Sequence, residues 1–222
     1  PDLFPACHES PEVTGRVSRS GGELFGLREG IPVVGGGGDS VIQTIGSGVI
    51  EPGDVQTTIG TAGIVASALD TPIDNPEGRL QVFCNVAPGK WHAMGVSLNA
   101  GFAMSWYQRV LRGVSGRDSW SYDDVVASAA ESIAGSHGLV FLPYLNGERA
   151  PHSDPDARGA FVGLTGMHAA PEMSRAVMEG VTFALFDIFT VMQQAGIDAR
   201  VVKASGGGAR SALWRQMQAD LF

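Results

Sequence analysis

An aspartate directly follows a run of four glycines in the stretch "VVGGGGDSVIQTIG", residues 33–46. The carboxylate of Asp39 could cap the helix predicted behind it, by accepting hydrogen bonds from backbone N–H groups of the first turn. It could also act as a general base that takes a proton from a substrate. Glycines let a ligand come close to the backbone, but this motif alone leaves the two roles level.

Two further glycine-rich loops add to this signal. The stretch "IGTAG", residues 59–63, joins two β-rich runs and predicts a hairpin. The stretch "SGGGARS", residues 205–211, follows the predicted strand "RVVKAS" and precedes a helix capped by Ser211. A strand that ends in glycines and opens a helix exposes N–H groups and the positive end of a helix dipole, which attract anions. Turn chemistry explains each loop alone, but the three together indicate a phosphate-handling site.

Commoner chemical motifs are absent from the sequence. It contains no G-x-G-x-x-G and no G-x-S-x-G, and the single Gly-Lys pair, Gly89-Lys90, lacks the rest of a P-loop. These absences argue against a dinucleotide, hydrolase or P-loop fold. His137, His152 and His168 have no partners at ligand spacing, so we expect surface or loop histidines.

The stretch "LNGERAPH" contains adjacent opposite charges, Glu148 and Arg149. They could form a structural ion pair or approach a ligand. The structural role is the favoured interpretation.

The elements that must position these loops follow from hydrophobic spacing. Strands are predicted at 31–34, in 54–69 as a hairpin, in 82–96 as two short runs, and at 200–205; helices are predicted at 39–46, 99–111, 122–133, 171–194 and from 211 onward. Residues 1–30, rich in Pro, Ser, Gly and charge, are predicted to be a linker that runs over the surface. Strand, glycine turn and helix therefore occur twice, at 31–46 and at 201–222.

Composition limits the possible partners. The 222 residues are 44% hydrophobic, which is ample for a buried core, and the net charge of −8 argues against nucleic acid as a partner. No apolar run approaches the roughly 18 residues of a membrane span. The two cysteines, Cys7 and Cys84, form no C-x-x-C pair, so a reducing, cytoplasmic location is expected. The sequence does not indicate an oligomeric state, and it is compatible with a homodimer.

Taken in order, these segments resemble the FGGY carbohydrate kinases, and within them the xylulokinases. The stretch "IPVVGGGGDSVIQTIGSGVIEPGDVQTTIGTAG" is similar to the family's catalytic-aspartate segment and phosphate hairpin. The stretches "VFLPYLNGERAPHSDPDARGAFVGLTGMH" and "ASGGGARSALWRQMQADLF" are similar to a xylulokinase-type segment and to the adenosine signature. Together they cover the chain from about residue 26 to its end.

The resemblance implies an α/β fold of the actin-like, ribonuclease H-like ATPase type, with a mixed sheet flanked by helices. It implies that residues 31–222 are the second kinase domain without its last helices, and that the N-terminal domain of the same enzyme is missing. The implied reaction transfers a phosphoryl group from ATP, with Mg²⁺, to a sugar, D-xylulose above all. The fragment alone is expected to be inactive.

The resemblance also implies roles for individual residues. Asp39 is the general base and, with Ser40, contacts the sugar; no metal ligand is expected. The predicted nucleotide-binding residues are Gly60, Thr61, Gly206, Gly207, Gly208 and Ser211.

Two departures from the family pattern stand out. Ser40 replaces the usual Asn or Gln, and Ala62 replaces the usual Ser of the hairpin. These departures leave open another pentulose, gluconate or a polyol as substrate, or a noncatalytic nucleotide-binding or interaction module.

Overall fold

The computed structural model describes residues 3, 5–75, 77–116 and 120–222. Its strands are β1 (Val13–Arg16), β2 (Pro32–Val34), β3 (Asp54–Ile59), β4 (Gly63–Leu69), β5 (Gln81–Cys84), β6 (Trp91–Ser97), β7 (Val140–Leu142), β8 (Ala160–Val162) and β9 (Val201–Gly206). Its helices are α1 (Arg19–Phe25), α2 (Asp39–Gly46), α3 (Gly101–Ser115), α4 (Tyr122–Ala130), α5 (Ala170–Gln194) and α6 (Ala212–Leu221).

A five-stranded mixed sheet organises the domain, in the order β5-β6-β4-β3-β9. Its pairs are antiparallel except for β3 and β9, which run parallel from Asp54 beside Val201 to Ile59 beside Gly206. β3 is followed by the glycine loop that begins at Gly60, and β9 by the loop that begins at Gly206. Both loops therefore leave the sheet at the same edge. This pairing brings together loops that are almost 150 residues apart in the sequence.

One face of the sheet is packed against α5, which in turn contacts α3 and α6. Leu185 and Ile188 of α5 lie so close to Gly63 and Gly95 that an added Cβ would approach them at 2.7 and 2.3 Å. Glycine at these two strand positions lets the helix pack directly on the sheet. Residues at helical spacing along α5, including Met178, Leu185, Ile188 and Met192, are fully buried.

Length and mean hydropathy alone would let α5 cross a membrane. In this fold 72% of its most apolar window is buried. Burial of that kind is what the core helix of a layered α/β domain requires.

The opposite face of the sheet carries polar side chains and the helix α2. On this face Gln56 donates to Thr58 Oγ1 (2.9 Å) and Ser205 Oγ (2.7 Å) across β3 and β9. Lys203 on the same face donates to the carbonyl of Gly48, just beyond the end of α2. The two faces thus differ: one is an apolar core, and the other is polar and partly open.

Most predicted elements are confirmed, with shifts of a few residues at their ends. α2 spans the predicted 39–46, the hairpin turn lies at 60–62, and the mixed sheet flanked by helices is as expected. The short pair β7–β8 was not predicted from the sequence.

The predicted linker, residues 1–30, contains structure of its own. β1 pairs with β2, and α1 begins at the capping residue Ser18, whose side chain accepts from the N–H of Gly21. Most of the segment is exposed, as a surface connection requires. Residues 1, 2 and 4 of the linker lie outside the described residues, and the domain division at residue 30 stays a prediction.

Candidate active site

The β3–β4 turn is held by the start of α3. The carbonyl of Gly60 accepts from the N–H of Gly101 (2.8 Å), and the carbonyl of Thr61 accepts from Ala100 (3.2 Å) and Phe102 (3.1 Å). In a trans peptide the N–H points away from the preceding carbonyl. The N–H groups of Thr61 and Ala62 therefore point away from α3, side by side.

These two amides are available to a ligand. Neither Thr61 nor Ala62 donates a backbone hydrogen bond to any residue that the structure describes. The N–H of Gly60, by contrast, is already bonded to the carbonyl of Ala62 (3.0 Å). Thr61 is exposed, so its hydroxyl can join its amide in contacting an anion. Gly60 belongs to the site through its backbone shape, not through its own amide.

The three glycines at the end of β9, residues 206–208, differ in how strictly the fold requires them. Gly206 has a positive φ of 76°, and a Cβ there would lie 2.6 Å from the carbonyl oxygen of Ile59. A Cβ on Gly208 would lie 2.6 Å from Cβ of Ile59. A Cβ on Gly207 would meet that carbonyl oxygen only at 3.8 Å, an ordinary contact. The fold thus requires glycine at 206 and 208, but not at 207.

Ser211 caps α6, as the turn interpretation predicts. Its hydroxyl oxygen accepts from the N–H of Trp214 at 3.2 Å. Residues 207–210 form a short 3-10 turn between β9 and this cap.

A cavity of about 680 Å³ joins the two loops. That volume is typical of a site for a small organic molecule or cofactor. Five of the predicted nucleotide-binding residues line it: Gly60, Thr61, Gly207, Gly208 and Ser211. Gly206 does not line the cavity, but its positive φ starts the turn that carries Gly207 and Gly208.

Sequence reasoning missed the rest of the lining. Gly101 and Phe102 from α3 and Tyr122 and Asp123 from α4 face the same space. A glycine or aromatic residue in the first turn of a helix carries no local signal of binding, because only the tertiary fold brings the two helix ends together. Gly101 is required by the close approach of the hairpin, since a Cβ there would lie 2.4 Å from the carbonyl oxygen of Gly60.

Asp39 and Ser40 lie apart from this cavity, at the start of α2. The N-cap position is Gly38, and Asp39 is the first helical residue, so the N-cap interpretation of Asp39 is wrong. Its Oδ1 accepts from the N–H of Ser40 (2.7 Å), and no other hydrogen bond to this carboxylate comes from the described residues. The side chain is exposed, which leaves Oδ2 open to a ligand.

The hydroxyl of Ser40 is directed to the sheet. It donates to the sulfur of Met94 on β6 at 3.4 Å. Its oxygen can still accept a hydrogen bond from a ligand.

Glu148 is buried, with 2% of its surface exposed, and anchors a loop. Its carboxylate accepts from Ser97 Oγ (2.7 Å) and from the N–H groups of Leu98 (2.9 Å) and Arg149 (2.7 Å). The structural ion pair favoured for Glu148 and Arg149 is wrong: Glu148 holds the loop through backbone and hydroxyl groups instead. Among the described residues no ion pair joins it to the Arg149 side chain.

Titratable groups around this loop respond to burial. Burial, aided by the carboxylates of Asp187 and Glu148, raises the pKa of Tyr144 to about 12. Burial also raises the pKa of Asp187. His152, an exposed loop histidine as expected, lies 3.1 Å from the Tyr144 hydroxyl. No group of three or more His, Cys, Asp or Glu side chains among the described residues could hold a metal ion.

Comparison with known proteins gives a consistent result. Residues 55–222 match the C-terminal domain of the FGGY family of carbohydrate kinases. The chain is 37% identical to the xylulose kinase of Escherichia coli K12, over 99% of this chain and 44% of that protein. It is 35% identical to the gluconokinase of Bacillus subtilis 168, over 100% of this chain and 42% of that protein.

The solved structures agree. The crystal structure of xylulose kinase from Rhodospirillum rubrum superposes with a TM-score of 0.87 at 32% identity, over 99% of this chain and 43% of that one. The fold and the cavity define an α/β domain of the actin-like ATPase type. The chain belongs to the FGGY family of carbohydrate kinases. It spans less than half the length of the relatives that it matches.

Proposed function

We propose that the protein to which this chain belongs transfers a phosphoryl group from ATP to a sugar, with D-xylulose as the preferred acceptor and the 5-phosphate as product. The observation that carries this proposal is the pair of amides at Thr61 and Ala62 without an acceptor among the described residues, in a turn whose Gly60 and Thr61 line a nucleotide-sized cavity. The xylulose kinase names of several relatives support the choice of acceptor.

The nucleotide is assigned to the cavity. Backbone N–H groups and a hydroxyl hold phosphate oxygens without adding charge, so Thr61 and Ala62 suit the transferring end of ATP. Gly207, Gly208 and Ser211 line the same cavity and suit the adenosine. Gly60 and Gly206 shape the two turns, and Ala62 supplies an amide but lacks the hydroxyl of the usual serine.

Asp39 is assigned as the general base. Phosphoryl transfer depends mainly on positioning, so the acceptor hydroxyl must be held in line and relieved of its proton. The bond from the Ser40 N–H fixes one carboxylate oxygen, which leaves the other to take the proton from the acceptor hydroxyl. Ser40 is proposed to contact the same sugar.

Mg²⁺ is proposed to accompany the nucleotide. Magnesium sites in kinases usually combine one or two carboxylates with substrate phosphates and water. The described part of this chain offers no cluster that could hold the ion alone. We therefore assign no residue of this chain as a metal ligand.

The complete enzyme is proposed to need a further domain, since the chain covers 44% of the E. coli relative. That domain would form the other wall of the site. A cytoplasmic location and a homodimer stay predictions. Cys7 and Cys84 are both free thiols on the surface.

The substitution Asp39→Asn in the full-length enzyme tests the proposed base. Turnover should fall by about 10² to 10⁴-fold, because the amide cannot take the proton, while affinity for ADP stays unchanged. Initial rates of sugar-dependent ADP release and calorimetric titration with ADP measure the two effects. Asp156→Asn, at an aspartate whose side chain is 93% exposed, is the matched control and should leave both values unchanged.

The acceptor is tested in the same assay with D-xylulose, D-ribulose, gluconate and a pentitol. A higher kcat/KM for gluconate than for D-xylulose would replace the proposed acceptor, an alternative that the B. subtilis gluconokinase relative favours. Absence of turnover with every acceptor would instead support a noncatalytic nucleotide-binding module. Turnover by Asp39→Asn close to that of the unaltered enzyme would remove Asp39 from the role of base.

A further inference from the structure

Arg149 is an exposed arginine on an unusually well anchored loop. The Glu148 carboxylate accepts from its backbone N–H, and the next residue, Ala150, donates to the carbonyl of Val96 on β6 (3.0 Å). The carbonyl of Gly147 accepts from the buried amide of Asn99 (2.8 Å). Every residue from 147 to 150 is thus tied to the sheet or to the start of α3, directly or through Glu148, which places the Arg149 side chain on a rigid base.

The Arg149 guanidinium has no carboxylate partner among the described residues. No carboxylate oxygen in this part of the chain lies within 4.0 Å of it. Its neighbour is the amide of Gln81 on β5, whose oxygen, with the amide suitably oriented, accepts from Nη1 at 3.3 Å and also from Nη2. A guanidinium has five N–H donors, so most of them are left for another acceptor.

The position of Gln81 in the sheet places this cation beside the proposed acceptor site. Gln81 is the cross-strand partner of Met94, and the side chains of such partners point to the same face of the sheet. Met94 is the residue whose sulfur accepts from the hydroxyl of Ser40. Met94 therefore contacts Ser40 and neighbours Gln81 across strands about 4.8 Å apart, which places the Arg149–Gln81 pair close to Ser40 and Asp39.

We propose that Arg149, held by Gln81, binds the oxygen-rich end of the acceptor sugar that is remote from the reacting hydroxyl. Its preferred ligand is a carboxylate or carbonyl oxygen of an aldonate or ketose, because a guanidinium only donates and these oxygens accept more strongly than a hydroxyl. Met94 forms the apolar floor between this contact and Asp39. The inference rests on the proposed function and adds a specificity-determining residue to it.

Kinetics of Arg149→Gln in the full-length enzyme test this role. The KM for D-xylulose should rise about tenfold or more, since a charge-assisted contact is lost, while kcat stays within about twofold. The KM for gluconate, which bears a carboxylate, should rise further than that for D-xylulose, and that for a pentitol, which has neither group, least. Affinity for ADP should be unchanged.

Two variants separate binding from support of the loop. Arg149→Lys keeps the charge but loses the planar fork, so it should recover only part of the acceptor affinity. Arg149→Ala should regain acceptor affinity when guanidinium ion is added at millimolar concentration, an effect that a merely structural role would not produce. Arg79→Gln is the matched control, because Arg79 lies two residues before Gln81 but is paired with Glu77 at 2.7 Å; it should leave every KM unchanged.

Unchanged acceptor KM values in Arg149→Gln would overturn this inference and leave the proposed function standing. A lower melting temperature with no change in KM would also overturn it and would assign Arg149 a structural role. If Arg149→Gln does not fold, Gln81→Ala carries the same expectation for the order of the acceptors. A parent enzyme that phosphorylates no acceptor would overturn the proposed function as well, which the Asp39 variant reports separately.

Discussion

Individual glycines in the loop after β9 serve different purposes, although they are identical in the sequence. Gly206 needs its positive φ, and Gly208 needs to lie against the side chain of Ile59. Gly207 has neither constraint, yet it lines the cavity. Because the fold does not require glycine at position 207, we propose that this glycine serves the ligand, whose approach to the backbone a side chain would obstruct.

This distinction predicts opposite effects for two alanine substitutions. Gly206→Ala should lower the free energy of unfolding by about 1–3 kcal/mol, because it forces a strained backbone and crowds the carbonyl of Ile59. Gly207→Ala should change stability by less than about 0.5 kcal/mol. It should weaken ADP binding about tenfold, because the methyl group occupies space in the cavity.

Urea unfolding and calorimetric titration with ADP measure both quantities on the same samples. Equal affinity for ADP in Gly207→Ala and the unaltered protein would contradict the assignment of adenosine to this loop. Loss of stability in Gly207→Ala comparable with that in Gly206→Ala would show that the two glycines are equivalent after all.

At the scale of elements, the sequence predicted what short-range chemistry determines. The helix α2 and the β3–β4 hairpin are encoded by glycine turns and by spacing within a dozen residues, and both were located correctly. The pair β7–β8 has three residues in each strand, too few for alternation to be visible. The contact between Arg149 and Gln81 joins residues 68 positions apart, and nothing local to either residue signals it.

His92 in β6 shows how an element can hold a titratable group that the sequence does not reveal. Its ring is fully buried on the face of the sheet that carries α2, and it stacks on Phe83 with ring centroids 6.3 Å apart. Neither ring nitrogen has a hydrogen-bond partner among the described residues. Burial lowers the pKa of His92 to about 4, so the ring is neutral in the folded chain at pH 7.

This burial predicts that stability falls as the pH is lowered. Between pH 6.5 and about 4 the unfolded chain binds a proton on His92 that the folded chain does not, so acid favours unfolding. From pH 7 to pH 5 this residue should remove about 2 kcal/mol of the free energy of unfolding. His92→Phe, which keeps an apolar ring against Phe83, should reduce the loss by that amount.

Urea unfolding at pH 7 and pH 5, with and without the substitution, measures the difference. The comparison between the two proteins cancels the carboxylates that also titrate in this range. An identical loss of stability in His92→Phe would show that the buried ring is not its source.

At the scale of the whole molecule, the two candidate sites are unequally complete. The cavity is lined from several sides by residues of β3 and its turn, α3, α4, the loop after β9 and α6, all of them in this chain. The proposed acceptor site at Asp39 is open to solvent. Large apolar residues on the same part of the surface have more than 40% of their area exposed, among them Val33, Val34, Ile42 and Phe83. Exposed apolar surface of this kind is typical of a face that another domain covers.

This asymmetry predicts that the 222-residue chain alone binds nucleotide but does not phosphorylate sugar. ADP at 100 times its dissociation constant should raise the free energy of unfolding by about 2.7 kcal/mol, because it binds only the folded state. D-xylulose should leave the free energy of unfolding unchanged, since this chain supplies only one wall of the proposed acceptor site. Thermal unfolding with each ligand and an assay of sugar-dependent ADP release test both statements, and Gly207→Ala is the control that should weaken the effect of ADP. Sugar-dependent ADP release from the pure chain would show that these residues form both walls of the site; an unchanged melting temperature with ADP would show instead that the cavity needs the remaining half of the enzyme.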